Sequence, residues 1–249
     1  MEKELKNNKK YGLIGKNISY SFSKGYFTEK FKNLNLSNHY YENFDLEVIT
    51  ELNAIIAENN LAGLNVTIPY KEEIIPYLDD IDEIAKEIGA VNTIKVTKTG
   101  IKGYNTDIYG FKQAITKHLK SNHKKALILG TGGASKAVAY VFYQLGISYK
   151  FVSRKPVNDQ LSYSTLDKEK IQAYQIIVNC SPVGTYPNIN KKPNIPYEGL
   201  GKNHLLFDLI YNPNKTAFLK MGEAAGSVIE NGLSMLEFQA EKAWNIWNS

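Results

Sequence analysis

Three groups of residues in this chain have the types and spacing that chemistry requires. The first is Gly130-Thr131-Gly132-Gly133-Ala134-Ser135, which follows the apolar run Ala126 to Leu129 and opens a small-residue helix through Ala137 and Ala139. A run of that length reads as a strand buried on both faces of a parallel sheet. Gly130 can make the tight turn, Gly132 and Gly133 leave room for close backbone approach, and Ala134 keeps the next helix thin. Ser135 falls in the first helical turn, where backbone N–H groups and the helix dipole favour an anion. The stretch reads as a pyrophosphate cradle in a dinucleotide-binding unit; a structural turn without a ligand is the other reading. The second group, Ser153, Arg154 and Lys155, ends the next strand, Tyr149 to Ser153. A free ribose 2′-hydroxyl is normally met there by Asp or Glu. A guanidinium instead binds a 2′-phosphate through charge-assisted hydrogen bonds, which favours NADP over NAD; a basic surface pair is the alternative.

The third group is spread over the first half of the chain. Ser19, Ser21 and Ser23 precede a helical pattern in Tyr26, Phe27, Phe31 and Leu34, so their hydroxyls can cap that helix or hold a carboxylate. Lys71 follows the strand Leu61 to Ile68 and its terminator Pro69, at the carboxyl edge where open α/β sheets place ligand groups. Beside Glu72 and Glu73 it also reads as a solvated helix start. The segment from Ala90 to Asp107 reads as a hairpin turning at Lys98, Thr99 and Gly100, which brings Asn92 to the same end as Asn105, Thr106 and Asp107. Asp107 stands ahead of Ile108, Phe111, Ile115 and Leu119 and is equally a helix N-cap.

The elements that must position these groups alternate between strand and helix. In the first half they are a strand Tyr11 to Gly15, a strand His39 to Phe44, a helix Asp45 to Asn60, and a helix Ile81 to Ile88 closed by Gly89. After the glycine loop come a helix ending at Gly146 and strands at Gln175 to Asn179, His204 to Ile210 and Ser227 to Glu230, about four parallel strands in all. The last helix is expected to begin with a capping box from Ser234 to Glu237, with Leu236, Ala240, Ala243, Trp244 and Trp247 on its apolar face and Gln239 at the edge.

With 249 residues, 43% hydrophobic and 22% charged, the chain suits two modest globular domains. The single cysteine, Cys180, excludes an intramolecular disulfide, reads as a packing residue, and suits a reducing cytoplasm. No metal cluster, membrane span or signal-peptide core is expected. The net charge of +5 comes partly from the lysines of the N-terminal EKELKNNKK, with no basic stripe or aromatic platform for nucleic acid.

The order and spacing of SYSFS, GLNVTIPYK, AVNT, GYNTD, GTGGAS, DLIYNP and NGLSMLEFQA, from Tyr11 to Trp247, resemble the shikimate dehydrogenase family. The resemblance implies a substrate-binding, mixed-sheet α/β domain made of residues 1–106 and 234–249, with the last helix returning to it. It also implies a Rossmann-like NADP domain at 107–233. The implied reaction is reversible NADPH-dependent reduction of 3-dehydroshikimate to shikimate on the route to aromatic amino acids. By the same resemblance, Lys71 and Asp107 form the catalytic pair and Ser21 and Ser23 hold the substrate carboxylate. Asn65, Thr67, Asn92, Tyr211 and Gln239 reach the ring hydroxyls or the carboxylate. Gly130 to Ser135 take the pyrophosphate, Ser153, Arg154 and Lys155 the 2′-phosphate, and Val183, Gly226, Gly232 and Met235 lie near the nicotinamide. The chain departs from the usual family pattern at Tyr20 and Lys24, which replace a histidine and a proline. It departs also at Ser153 and Lys155 around the retained arginine, and at Thr185 in place of a methionine.

The resemblance leaves a quinate/shikimate dehydrogenase of relaxed specificity as one alternative; Arg154 argues against the NAD preference of that branch. A non-catalytic NADP-binding sensor on the same fold is another, opposed by the retained Lys71 and Asp107. The expected partners are small molecules, with the chain a monomer or homodimer.

Overall fold

The computed structural model describes residues 8–19 and 21–249; Tyr20 and the first seven residues, with their lysines, lie outside them. The chain forms two compact units, one of residues up to Thr106 together with Ala240–Ser249, the other Asp107–Gln239. The division falls inside the last helix at Ala240, rather than at Ser234.

In the first unit β1 (Lys9–Gly15) leads to α1 (Phe22–Asn33), β2 (His39–Asp45), a 3₁₀ turn at Ile49–Glu51, α2 (Leu52–Asn59) and β3 (Leu61–Val66). Then come the two-residue β4 (Asp80–Ile81), α3 (Glu83–Ile88), β5 (Thr93–Thr97) and β6 (Gly100–Tyr104). The sheet order is β2-β1-β3-β5-β6-β4. β1 pairs parallel with β2 and β3, whereas β5 runs antiparallel to β3 and β6, so the sheet is mixed.

The helix expected over Asp45 to Asn60 is shorter. Asp45 closes β2, and its carboxylate accepts the N–H groups of Asn17 (2.7 Å) and Ile18 (3.2 Å), tying down the loop ahead of α1. Ile81 likewise belongs to β4, which pairs with β6, and Asp82 caps α3 through the Ile84 N–H at 3.1 Å. One face of the sheet is covered by an aromatic cluster in which Tyr11, Phe27 and Tyr41 meet Ala240, Ala243 and Trp247. Gly63 is glycine for that contact: a Cβ there would lie 2.3 Å from the Trp247 indole.

The second unit starts with α4 (Asp107–Thr116), followed by β7 (Lys125–Leu129), α5 (Gly133–Gln144), β8 (Ser148–Ser153), β9 (Leu161–Ser162) and α6 (Lys168–Ala173). Then come β10 (Ile176–Asn179), β11 (Leu205–Asp208), α7 (Ala217–Ala224), β12 (Val228–Glu230) and α8 (Leu233–Asn248), whose residues from Ala240 onward belong to the first unit. Its sheet has six strands in the order β12-β11-β10-β7-β8-β9, all paired in parallel. Five of the six are strands named from the sequence, one more than the expected count of about four; the sixth, β9, is a two-residue edge strand without a hydrophobic run. The central strands β10 and β11 are buried along their whole length, as continuous apolar runs predict. Phe111, Phe142 and Phe207 meet edge to face in the core above them, with centroids 5.5 and 5.1 Å apart.

The capping box expected at Ser234 is not formed. α8 starts one residue earlier, the Asn231 Oδ1 accepts the Leu233 N–H at 3.0 Å, and the Ser234 hydroxyl donates to Glu230 at 2.7 Å. Among the described residues no helix is long and apolar enough to cross a membrane.

Candidate active site

In the first unit the expected substrate residues gather at the carboxyl ends of β1 and β3 and the start of β5. Ser21 is the N-cap of α1, its hydroxyl accepting the Ser23 N–H at 3.2 Å, so the capping reading of this residue holds. Ser23 lies in the first turn of the same helix and is 9% exposed. Asn65, near the end of β3, is buried in a polar chain. Its Oδ1 accepts the Tyr41 hydroxyl at 2.8 Å, and its Nδ2 faces the Asn92 carbonyl and the Thr93 hydroxyl at 3.4 and 3.3 Å. Asn92 directs its Oδ1 at Thr106, accepting the backbone N–H at 2.7 Å and the hydroxyl at 3.2 Å. The expected convergence of Asn92 with the end of β6 is thus present in Thr106.

Thr67 follows β3, half-buried, with its N–H on the Ile14 carbonyl at 2.8 Å. The Ile68–Pro69 peptide is cis, and Tyr70 is buried with its hydroxyl on the Leu46 carbonyl at 2.8 Å. Lys71 comes next, its carbonyl accepting the Val91 N–H at 2.7 Å, with Ile74 fully buried one turn on. The lysine is therefore half-buried in a turn tied to the chain at Val91 through its own carbonyl, instead of on a solvated helix start.

In the second unit Asp107 is the first residue of α4 and is 5% exposed, a position where the helix dipole favours a carboxylate. α4 approaches α8 closely at Gly110, where a Cβ would stand 2.5 Å from the Met235 carbonyl oxygen and 3.0 Å from the Gln239 Cβ. The glycine thus brings the turn that carries Asp107 onto the turn that carries Gln239, which is buried. Sequence reading passed over Gly110; its place three residues after Asp107, within an otherwise helical pattern, was the available signal.

The glycine loop lies at the carboxyl edge of the parallel sheet. Gly130 has φ +112°, the left-handed side that glycine adopts readily, and a Cβ there would crowd the Cys180 carbonyl carbon at 3.3 Å. Gly132 is the N-cap of α5 with no side-chain cap, and a Cβ added to it would meet nothing within 4 Å. Gly133 and Ala134 open the helix. Ser135 is fully buried and its hydroxyl donates to the Gly132 carbonyl at 2.6 Å, so this side chain braces the loop from inside. An uncapped N-terminus of a twelve-residue helix with open space over its N-cap fits a pyrophosphate.

Arg154 and Lys155 follow β8 and are exposed, and the Ser153 hydroxyl accepts the Lys155 N–H at 3.2 Å, bending the chain between them. These residues fit a 2′-phosphate. Cys180 packs against the core; burial holds its thiol well above the ordinary range, and the Asp208 and Asp107 carboxylates push it the same way. It is a packing residue, as expected.

The loop after β10 is shaped by Asn179, whose Nδ2 donates to the Val183 carbonyl at 3.3 Å and to Asp208 at 3.0 Å. Asp208 also accepts the Thr216 hydroxyl at 2.6 Å and the Ile210 N–H at 3.1 Å, which sets the start of the loop that carries half-buried Tyr211. Burial in this network pushes the Asp208 carboxyl up to about 6. Gly232 is glycine for a packing reason, since a Cβ would fall 2.1 Å from the Leu209 carbonyl oxygen. Gly226 has φ +76° at the turn before β12, and Met235 is buried in the core.

Residues 13–94 match the family model described as the shikimate dehydrogenase substrate binding domain. A curated relative, the shikimate dehydrogenase (NADP(+)) of Clostridium botulinum, is 37% identical over 247 residues, covering 95% of each chain. The crystal structure of shikimate dehydrogenase 1 from Peptoclostridium difficile superposes with a TM-score of 0.83 at 38% identity, over 96% of this chain and 91% of that one. A shikimate 5-dehydrogenase from Thermus thermophilus, solved with NADP(H) and shikimate, gives a TM-score of 0.85 at 28% identity over 96% and 93%. Likeness at that level along the whole length, embracing both the polar chain around Asn65 and the glycine loop, means that this chain belongs to the shikimate dehydrogenase family.

Proposed function

We propose that the chain catalyses the reversible NADPH-dependent reduction of 3-dehydroshikimate to shikimate in the biosynthesis of aromatic amino acids. The observation that carries this reading is that the likeness to NADP-dependent relatives spans the substrate half and the cofactor half together, 95% of the chain. The N-terminus of α5 with Gly130, Gly132, Gly133, Ala134 and Ser135 holds the pyrophosphate, Ser153, Arg154 and Lys155 the 2′-phosphate, and Val183 and Gly232 belong to the nicotinamide end. Bound there, NADPH supplies the hydride that adds to the ketone carbon.

As the carbonyl becomes an alcohol, negative charge grows on its oxygen. The Lys71 ammonium stabilises that charge and gives the oxygen a proton; in the reverse direction the neutral amine takes the proton from the hydroxyl. Asp107 supplies the balancing negative charge of the catalytic pair. Ser21 and Ser23 donate hydroxyl hydrogen bonds to the substrate carboxylate. Asn65, Thr67, Asn92, Tyr211 and Gln239 address the remaining polar groups of the substrate, and because the Oδ1 of Asn92 is engaged by Thr106, this residue meets a hydroxyl through its amide N–H. The lone thiol of Cys180 suits a cytoplasmic site of action, as a monomer or homodimer.

The test is the initial rate of NADP reduction with shikimate, for wild type and Lys71→Ala. Shikimate-dependent turnover that the substitution abolishes supports the reading. Absence of turnover in both, with NADP still bound tightly, sinks it in favour of a non-catalytic NADP-binding protein. Comparable turnover of quinate with NAD would favour the relaxed quinate/shikimate enzyme, which Arg154 argues against.

A further inference from the structure

Tyr41 has no part in the roles assigned above, yet its hydroxyl sits between two of the residues that carry them. It stands in β2 opposite Tyr11 of β1, and Asn65 in β3 stands opposite Leu13 of β1, so both side chains occupy one face of the sheet with β1 between them. Both are 4% exposed or less, and the Tyr41 hydroxyl reaches across β1 to the Asn65 Oδ1 at 2.8 Å. The ring is stacked on Phe27, with centroids 4.7 Å apart and planes 9° from parallel, and Phe27 lies one helical turn beyond Ser23 in α1. The Ser23 hydroxyl hydrogen-bonds the same phenol oxygen, and burial keeps the phenol in its neutral form by raising it above its ordinary range.

The direction of these bonds follows from what each partner can do. The Asn92 carbonyl only accepts, so the side of the Asn65 carboxamide facing it is Nδ2 and the side facing Tyr41 is Oδ1. Tyr41 therefore spends its single proton on Asn65, and toward Ser23 its oxygen accepts; Ser23 has one proton to give, so its hydroxyl turns from Tyr41 to the substrate carboxylate when substrate binds. Without the phenol, the Asn65 Oδ1 would be a buried acceptor with no donor, and the amide would be held only by the long Nδ2 contacts of 3.4 and 3.3 Å to Asn92 and Thr93.

We infer that Tyr41 is a positioning residue for substrate binding: its hydroxyl fixes which face of the Asn65 carboxamide is presented to the substrate. This rests on the proposed shikimate dehydrogenase reading, in which Asn65 touches substrate. The requirement is for a hydroxyl on an aromatic ring at this place. Phenylalanine would keep the stack on Phe27 and lose only the hydrogen bonds.

The experiment compares wild type, Tyr41→Phe, Asn65→Ala and the double variant by shikimate and NADP kinetics and by thermal unfolding. Loss of a hydrogen bond of ordinary strength predicts a shikimate KM raised about three- to tenfold in Tyr41→Phe. The kcat is expected to stay within about twofold and the NADP KM to be unchanged, since a group that affects ground-state and transition-state binding alike moves KM alone. In the Asn65→Ala background the same substitution should change the shikimate KM by less than about twofold, because interacting residues are non-additive. An unchanged shikimate KM in Tyr41→Phe overturns the inference, whatever happens to Tm. So does an equal rise in the Asn65→Ala background. If Tyr41→Phe is too unstable for the assay, calorimetric binding of shikimate to its NADP complex at low temperature reads the same loss of affinity. A wild type with no shikimate-dependent activity overturns the functional reading and this inference together, whereas an active wild type indifferent to Tyr41→Phe overturns this inference alone.

Discussion

The side-chain oxygen of Asn92 accepts the backbone N–H of Thr106 at 2.7 Å, joining the entry of β5 to the residue immediately before Asp107. Thr106 is 1% exposed, so without this acceptor its N–H would be buried and unpaired, a cost of about 1–3 kcal/mol. Asn92→Ala is therefore expected to lower Tm and to reduce kcat as well as raise the shikimate KM, because the backbone that delivers Asp107 loses its anchor. Asn92→Asp keeps the acceptor and should recover most of the stability. Melting curves and shikimate kinetics for the two variants check this; equal Tm values for wild type and Asn92→Ala would dismiss the anchoring role.

The carboxyl-edge features were legible wherever a single residue type had a local physical reason. Gly130 needs its positive φ, Ser21 caps the helix that follows it, and the runs through β7 and β10 are buried on both faces. What was not legible depends on sheet order. Tyr41 and Asn65 meet only because β1 inserts between their strands, and no local pattern states that order. Gly110 is small because α8 presses on it from far along the chain, and Asp45 left its expected helix because its carboxylate is used by the loop after β1. A helix boundary set by a distant partner does not show in periodicity.

Gly132 offers a clean separation of stability from cofactor binding. Its φ is −79° and an added Cβ would meet nothing in the protein, so Gly132→Ala should change Tm little: a gain of about 0.4–1 kcal/mol through the unfolded chain is offset by the poorer standing of alanine than glycine at a helix N-cap. The methyl would, however, occupy the space over the helix N-terminus, and the NADP KM is expected to rise about tenfold or more. Gly130→Ala, at φ +112°, should by contrast destabilise the fold itself. Unaltered NADP kinetics in a stable Gly132→Ala protein would remove the pyrophosphate from this loop.

Arg154 is exposed at the end of β8 and has a charge to offer a 2′-phosphate. Hydrogen bonds to a charged group are worth about 1.5–3 kcal/mol, so Arg154→Ala should raise the NADP KM about ten- to hundredfold. NAD, which lacks the phosphate, should be affected little. The ratio of kcat/KM for the two cofactors is the measurement, and a parallel loss with both would place Arg154 elsewhere than on the phosphate.

Asp208 gives the fold a pH dependence of predictable sign. It is fully buried at the end of β11, and although Thr216, Asn179 and Ile210 donate to it, burial dominates and lifts its carboxyl from 3.8 to about 6. The folded state therefore holds this proton more tightly than the unfolded chain does. Between pH 3.8 and about 6 the native protein binds more protons than the unfolded one, so raising the pH through that window removes stability, and above about 6 the loss is complete. At 1.36 kcal/mol per pKa unit the change is about 3 kcal/mol. Asp208→Asn keeps an acceptor for Asn179 and Ile210 but cannot ionise, so the difference in Tm between wild type and variant should shift against the wild type as the pH rises from about 4 to 6 and then level off. A difference that is flat across this window, or that moves the other way, would mean that the three donors outweigh burial and that the carboxylate is charged throughout.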